Sequence, residues 1–140
     1  MNALVDTSVW SLALRRKPED LTEIEQSVVS ELADLAKEGR ARIIGLIRQE
    51  LLSGIKSAAQ YESLRVALQA FPDETADTSD HEAAARASDD CRSRGVRASV
   101  VDALICQIAL SRQWAIFTAD PDFKHYATVL PIKLHAPRDR

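Results

Sequence analysis

A three-residue apolar run, Ala3-Leu4-Val5, stops abruptly at Asp6 and is followed at once by residues that start a helix. This constrains the fold more than any other stretch. A short apolar run without alternation is what a parallel strand buried on both faces requires. Thr7 and Ser8 can cap a helix announced by Val9, Trp10, Leu12 and Leu14. An acid at the carboxyl end of a buried strand, facing a helix N-terminus, stands where open α/β sheets bind their ligands. Alone, Asp6 reads first as a helix cap. Its meaning depends on whether other acids come to meet it.

The same alternation continues along the chain. Pro18 interrupts Lys17-Pro18-Glu19-Asp20, and Thr22 with Glu25 forms a capping-box signature. Ile24, Val28, Leu32 and Leu35 follow at helical spacing, and Gly39 closes the helix. A second strand is expected over Arg42–Leu46. Next come a short helix carrying Ile47, Glu50, Leu51, Leu52 and Ile55, and a helix over Ala58–Ala70 with Tyr61, Leu64 and Leu68 as its stripe. Glu74–Ala76 is a candidate edge strand with little β propensity. Ser79-Asp80-His81-Glu82 predicts a capped, Ala-rich helix reaching Arg94, and Ser99 opens the most apolar helix, ending near Arg112. Ala115-Ile116-Phe117 reads as a strand, Thr118–Phe123 as a turn into a short helix, and Pro131–Leu134 as a last strand before a polar tail. Strands alternating with helices imply right-handed β-α-β units, and hence a three-layer α/β/α sandwich around a mainly parallel sheet.

At 140 residues this is the length of a single domain, spanning 1–140. Its 46% hydrophobic and 28% charged residues fit a globular protein and argue against disorder. No apolar run approaches the roughly 20 residues of a membrane span. The N-terminus lacks the pattern of a secretory signal. Cys91 and Cys106 lack metal-ligand spacing and read as reduced core residues, so a cytoplasmic location is expected. A net charge of −3 excludes nucleic-acid binding by bulk electrostatics. A phosphate-bearing partner would need bound metal or local cations, drawn from Arg15, Arg16 and Lys17 or from Arg86, Arg92, Arg94 and Arg97. Each of these groups is also an ordinary solvated helix face or end.

Four acids stand where such a fold could bring them together. Asp6 and Asp120 lie just beyond strand ends. In the helix from Val100, Gln107 and Ser111 mark the polar side at 100° per residue, and Asp102 falls opposite, among Ile105, Cys106 and Ala109. An acid on the apolar side of a helix is costly unless hydrogen-bonded or neutralised. Closing a capping box with Ser99 would also satisfy it, and the two roles are compatible. Glu50, on the flank of its helix, reads alone as a surface residue. Clustered carboxylates repel one another, and burial raises their pKa values. A hard divalent ion such as Mg²⁺ or Mn²⁺ reverses that cost and suits displacement at phosphorus. His81, His125 and His135 read as surface or helix-end residues, and no Gly-rich phosphate loop, G-x-S-x-G or H-E-x-x-H motif occurs.

Taken together, Leu4–Trp10, Ile47-Arg48-Gln49-Glu50-Leu51-Leu52-Ser53-Gly54, Val101-Asp102-Ala103-Leu104-Ile105 and Phe117–Phe123 resemble, in order and over nearly the whole chain, the motifs of PIN-domain ribonucleases, especially VapC-type toxins. The resemblance implies that Asp6, Glu50, Asp102 and Asp120 are the catalytic, metal-binding acids. It implies Asp122 as an outer ligand, and Thr7, Ser8 and Thr118 as hydroxyls that orient ligands or metal-bound water. It further implies Mg²⁺- or Mn²⁺-dependent hydrolysis of RNA phosphodiester bonds by metal-activated water, and a homodimer. The implied partner is an antitoxin whose C-terminal segment packs over the early helices and obstructs the acids.

Two other readings compete. A catalytically inactive PIN-like module would bind RNA or protein without cutting, but has no evident need for four mutually repelling acids. A small-molecule phosphatase using Asp6 as nucleophile would ordinarily carry a second Asp two residues on, where Ser8 stands. Trp10, Leu12, Leu14 and the apolar side of Ile24–Leu35 are expected either to form a peptide-binding groove or to join the core.

Overall fold

The computed structural model describes residues 1–140. Four short strands, β1 (Ala3–Val5), β2 (Ala41–Ile44), β3 (Asp73–Glu74) and β4 (Ala115–Phe117), form one sheet in the order β3-β2-β1-β4, with every pairing parallel. Seven α-helices surround it: α1 (Thr7–Leu14), α2 (Glu23–Lys37), α3 (Gly45–Leu52), α4 (Ala58–Leu68), α5 (Thr78–Ser93), α6 (Val100–Arg112) and α7 (Asp122–Tyr126). This is the expected three-layer α/β/α sandwich. A single cluster of 30 buried residues runs through sheet and helices, and every residue of β1 and β4 is fully buried or nearly so. No helix is long and apolar enough to cross a membrane.

The strand order places the site. From β1 the chain steps outward to β2 and β3, then returns to put β4 on the other side of β1. The direction of winding therefore reverses between β1 and β4, the position at which ligands bind beyond the carboxyl ends of an open α/β sheet. Asp6 leaves β1 at that point, and its backbone N–H bonds to the Phe117 carbonyl at 2.9 Å, extending the ladder one residue past the strand.

Several sequence expectations need correction. The second strand is shorter than expected and gives way to α3 at Gly45. α3 stops at Leu52, Gly54 adopts φ +80°, and Ile55 lies outside the helix. The edge strand is Asp73–Glu74 rather than Glu74–Ala76, pairing Ile43 with Asp73 and Ile44 with Glu74. Propensity does not hold it there. Arg48 grips Asp73 (2.9 Å) and the carbonyls of Leu68 and Phe71, while Arg112 grips Glu74 (2.9 Å), the Thr75 carbonyl and both oxygens of Asp80. The cap of α5 is Asp77, closing a box with Asp80, because the Asp77 carboxylate reaches the Asp80 N–H at 2.9 Å.

Pro131–Leu134 is not a strand. Ile116 forms only an isolated bridge with Leu134, flanked by hydrogen bonds from Ile116 N–H to the Lys133 carbonyl and from His135 N–H to the Ile116 carbonyl. The polar tail beyond is docked on α2. Glu31, buried at 1% exposure, accepts bonds from His135 Nε2 (2.6 Å), Arg138 Nε (2.8 Å) and Arg140 Nη2 (3.2 Å). Of the two readings for these residues, core claims Trp10, Leu12, Val28, Leu32 and Leu35, whereas Leu14 at 39% and Ile24 at 78% stay exposed.

Candidate active site

Asp6 ends β1 as the N-cap residue of α1, but its side chain makes no capping bond. Nor do Thr7 and Ser8 cap the helix, as the sequence suggested; both lie inside its first turn. Their hydroxyls turn sideways instead. Ser8 Oγ donates to Asp6 Oδ2 at 2.8 Å, and Thr118 Oγ1, just past β4, donates to the same oxygen at 2.9 Å. Both hydroxyls also receive backbone bonds from the following turn, Ala119 N–H to Ser8 Oγ (2.9 Å) and Asp120 N–H to Thr118 Oγ1 (3.0 Å). The Asp6 carboxylate, only 7% exposed, is thereby fixed between the ends of the two central strands.

Asp102 comes in from the first turn of α6. Ser99 accepts from the Asp102 N–H at 3.0 Å, but the Asp102 carboxylate does not return to the Ser99 backbone, so the box stays open. It accepts instead from Tyr126 Oη at 2.7 Å. Burial is the main influence on this carboxyl and pushes its pKa up. The Tyr126 bond opposes that shift, and the charges of Asp6 and Asp120 reinforce it. Asp120 belongs to the same field, so these three acids sense one another.

The remaining expected residues stand further out. Glu50, exposed on α3, accepts from Thr7 Oγ1 at 2.8 Å through Oε1. Asp122 is exposed at the start of α7, and its N–H donates to Asp120 Oδ1 at 2.9 Å. Tyr126 was not anticipated from the sequence. Burial first, and then its bond to Asp102, push its phenol pKa well above the usual range. Phe123 and Tyr126 on one side of α7 were the available signal, since that spacing buries both rings.

A common geometry links the four principal acids. Each has one oxygen held: Asp6 Oδ2 by Ser8 and Thr118, Glu50 Oε1 by Thr7, Asp102 Oδ2 by Tyr126, and Asp120 Oδ1 by the Asp122 N–H. The second oxygens of Asp6, Glu50 and Asp120 accept no bond from the protein. None of these acids, nor Asp122, pairs with an arginine or lysine, whereas Glu31, Glu38, Asp73, Glu74 and Asp80 all do. Unneutralised oxygens of hard character fit Mg²⁺ or Mn²⁺, and Mg²⁺ needs only one or two carboxylates. No three of them already stand at the spacing of a closed metal cage.

A family model for the PIN domain matches residues 3–129. No curated protein matches significantly in sequence. Among solved structures, FitAcB from Neisseria gonorrhoeae aligns with a TM-score of 0.74 at 18% identity, covering 96% of this chain and 97% of that one. VapBC2 from Rickettsia felis, bound to a DNA fragment from its promoter, aligns at 0.73 and 17% identity, covering 96% and 98%. A toxin–antitoxin complex from Klebsiella pneumoniae aligns at 0.61 and 20% identity, covering 87% and 90%. At such identities these likenesses speak for the fold.

Proposed function

The chain belongs to the PIN domain family, and from that premise we propose that it is a metal-dependent endoribonuclease, the toxin of a toxin–antitoxin pair. The observation that carries this reading is the set of uncompensated acids at the β1/β4 reversal, with Asp102 pushed up by burial and by Asp6 and Asp120. Asp6, Asp102 and Asp120 would hold the ion, with Glu50 and Asp122 at the rim. A bound Mg²⁺ or Mn²⁺ would neutralise charge on the phosphoryl oxygens and lower the pKa of a bound water.

The protein's own part is orientation. Ser8 and Thr118 hold one oxygen of Asp6 and leave the other without a protein partner, and the Asp120 N–H bonds Thr118 in turn. Tyr126 holds Asp102 as the acceptor of a short hydrogen bond, which favours its charged form. Preorganised ligands of this kind lose little freedom when the reacting groups assemble.

The toxin reading rests on the fold shared with FitAcB, VapBC2 and the Klebsiella pneumoniae complex. A cleft of about 520 Å³ between the end of α1 and α4 would seat an antitoxin segment. Leu14, Ile55 and Leu64 line it with Arg15 and Lys56, which fits an amphipathic segment bearing acids on its polar side.

The deciding experiment compares cleavage of single-stranded RNA in Mg²⁺ or Mn²⁺ by the wild type with Asp6→Asn and Asp102→Asn. Cleavage by the wild type and its loss in both variants is expected. RNA binding without any cleavage would favour an inactive PIN-like module, and equal cleavage by all three would remove these acids from the site. Co-expression with a neighbouring small open reading frame is expected to relieve toxicity.

A further inference from the structure

The acids that hold a metal also repel an RNA strand, and a net charge of −3 offers no bulk attraction to offset this. Local cations must therefore hold the flanking phosphates. Most arginines are already engaged: Arg92 with Asp89, Arg112 with Asp80 and Glu74, Arg48 with Asp73, and Arg138 with Glu31 and Glu38. Arg97, in the loop between α5 and α6, is exposed and makes no hydrogen bond or ion pair. His125 on α7 is likewise unpaired at its ring.

These two residues line one cleft of about 330 Å³ with Gly95, Val96, Asp122 and Tyr126. Tyr126 is the residue whose hydroxyl holds Asp102, and Asp122 is the acid whose N–H holds Asp120. The cleft thus shares a wall with the acidic site. Asp122 lines it without bridging Arg97, which leaves the guanidinium free. Arg97 also lines an adjoining cleft of about 230 Å³ with Ser88, Arg92, Val96 and Ala98, so it stands where the two meet. Gly95, at φ +76°, makes the turn that brings Val96 and Arg97 back toward α7.

We propose that this cleft is a phosphate subsite for the RNA strand next to the scissile bond, with Arg97 pairing the phosphate and His125 donating a second bond. The inference rests on the ribonuclease reading above. A guanidinium presents a planar fork that matches a phosphate's oxygens, which suits it to register a strand rather than merely attract it.

The test is fluorescence anisotropy of a labelled single-stranded oligoribonucleotide in excess EDTA, so that no strand is cut. Arg97→Ala should weaken binding roughly fivefold and flatten the salt dependence by about 0.7 in log–log slope, the value for one lost phosphate contact on a single strand. Arg97→Lys should keep the slope, and His125→Ala should weaken binding about twofold with the slope retained. Lys37→Ala removes the same charge at the end of α2 that leads into β2, by the amino end of that strand and away from the acids beyond the carboxyl ends, and should change neither. Arg97→Ala binding with wild-type affinity and slope, or Lys37→Ala losing as much, would overturn the subsite. If in that case the wild type still cuts RNA and Asp6→Asn does not, the ribonuclease reading stands without it; a wild type that neither binds nor cuts RNA removes both.

Discussion

The phenol of Tyr126 and the carboxylate of Asp102, 24 residues apart in sequence, meet at 2.7 Å between α7 and α6. Nothing else in the structure holds that carboxylate oxygen. Tyr126→Phe should therefore lower cleavage about tenfold near neutral pH, as loss of a hydrogen bond to a charged group implies. The bond lowers the Asp102 pKa, so its removal raises that pKa further. In metal-free protein the titration of the Asp102 carboxyl, followed by NMR, should accordingly move to higher pH. An unchanged titration would mean that the Tyr126 bond does not act on Asp102.

Asp102 also links the site to stability. Its pKa is raised on folding, by burial and then by Asp6 and Asp120. The carboxyl thus costs nothing below its unfolded pKa, and the penalty appears as pH rises through the folded value. Asp102→Asn should raise the Tm of metal-free protein at neutral pH. Added Mn²⁺ should raise the Tm of the wild type and not of the variant. Thermal melts with and without the ion check both.

Glu31 behaves oppositely. Burial pushes its pKa up, but the bonds from Arg138 and His135 outweigh burial and hold it at about 2, against an ordinary 4.5. The stabilisation is complete above the unfolded value and is lost as pH falls from 4.5 toward 2. Glu31→Gln should cost about 2 kcal/mol at pH 7 and nearly nothing at the bottom of that window. Urea melts across the range would reveal this difference.

Arg112 ties the end of α6 to the edge of the sheet. Its guanidinium bonds both oxygens of Asp80 at 2.6 and 2.9 Å, and holds the Asp80 pKa at about 2. Arg112→Lys keeps the charge but not the fork. Amide exchange in residues 73–76 should become faster, while exchange in β1 and β4 stays unchanged. Uniform acceleration across the sheet would mean that the edge does not open on its own.

What could be read in advance follows from which forces are local. The apolar runs at Ala3–Val5 and Ala115–Phe117 have no alternation, so burial on both faces was legible, and with it the position of Asp6 and Thr118. Asp102 was legible because helix geometry sets it on the apolar side before any partner is known. Tyr126 was not, since its partner lies on another helix. β3 was barely visible because two arginines 20 or more residues away supply what its own residues lack. Ile24 fits its helical stripe but lies beyond the reach of the core, and no periodicity tells where a neighbouring element ends. Nothing local marks Glu31, one residue before buried Leu32. Its partners are more than 100 residues away.

That separation sets an order of events during synthesis. Glu31 leaves the ribosome early, on a helix ready to pack, while Arg138 is made 107 residues later. Until then the carboxylate must either stay hydrated, keeping α2 from settling against the sheet, or enter the core unpaired. The acids at the β1/β4 reversal likewise await β4. Folding of the early half is thus checked until partners made more than 100 residues later are available.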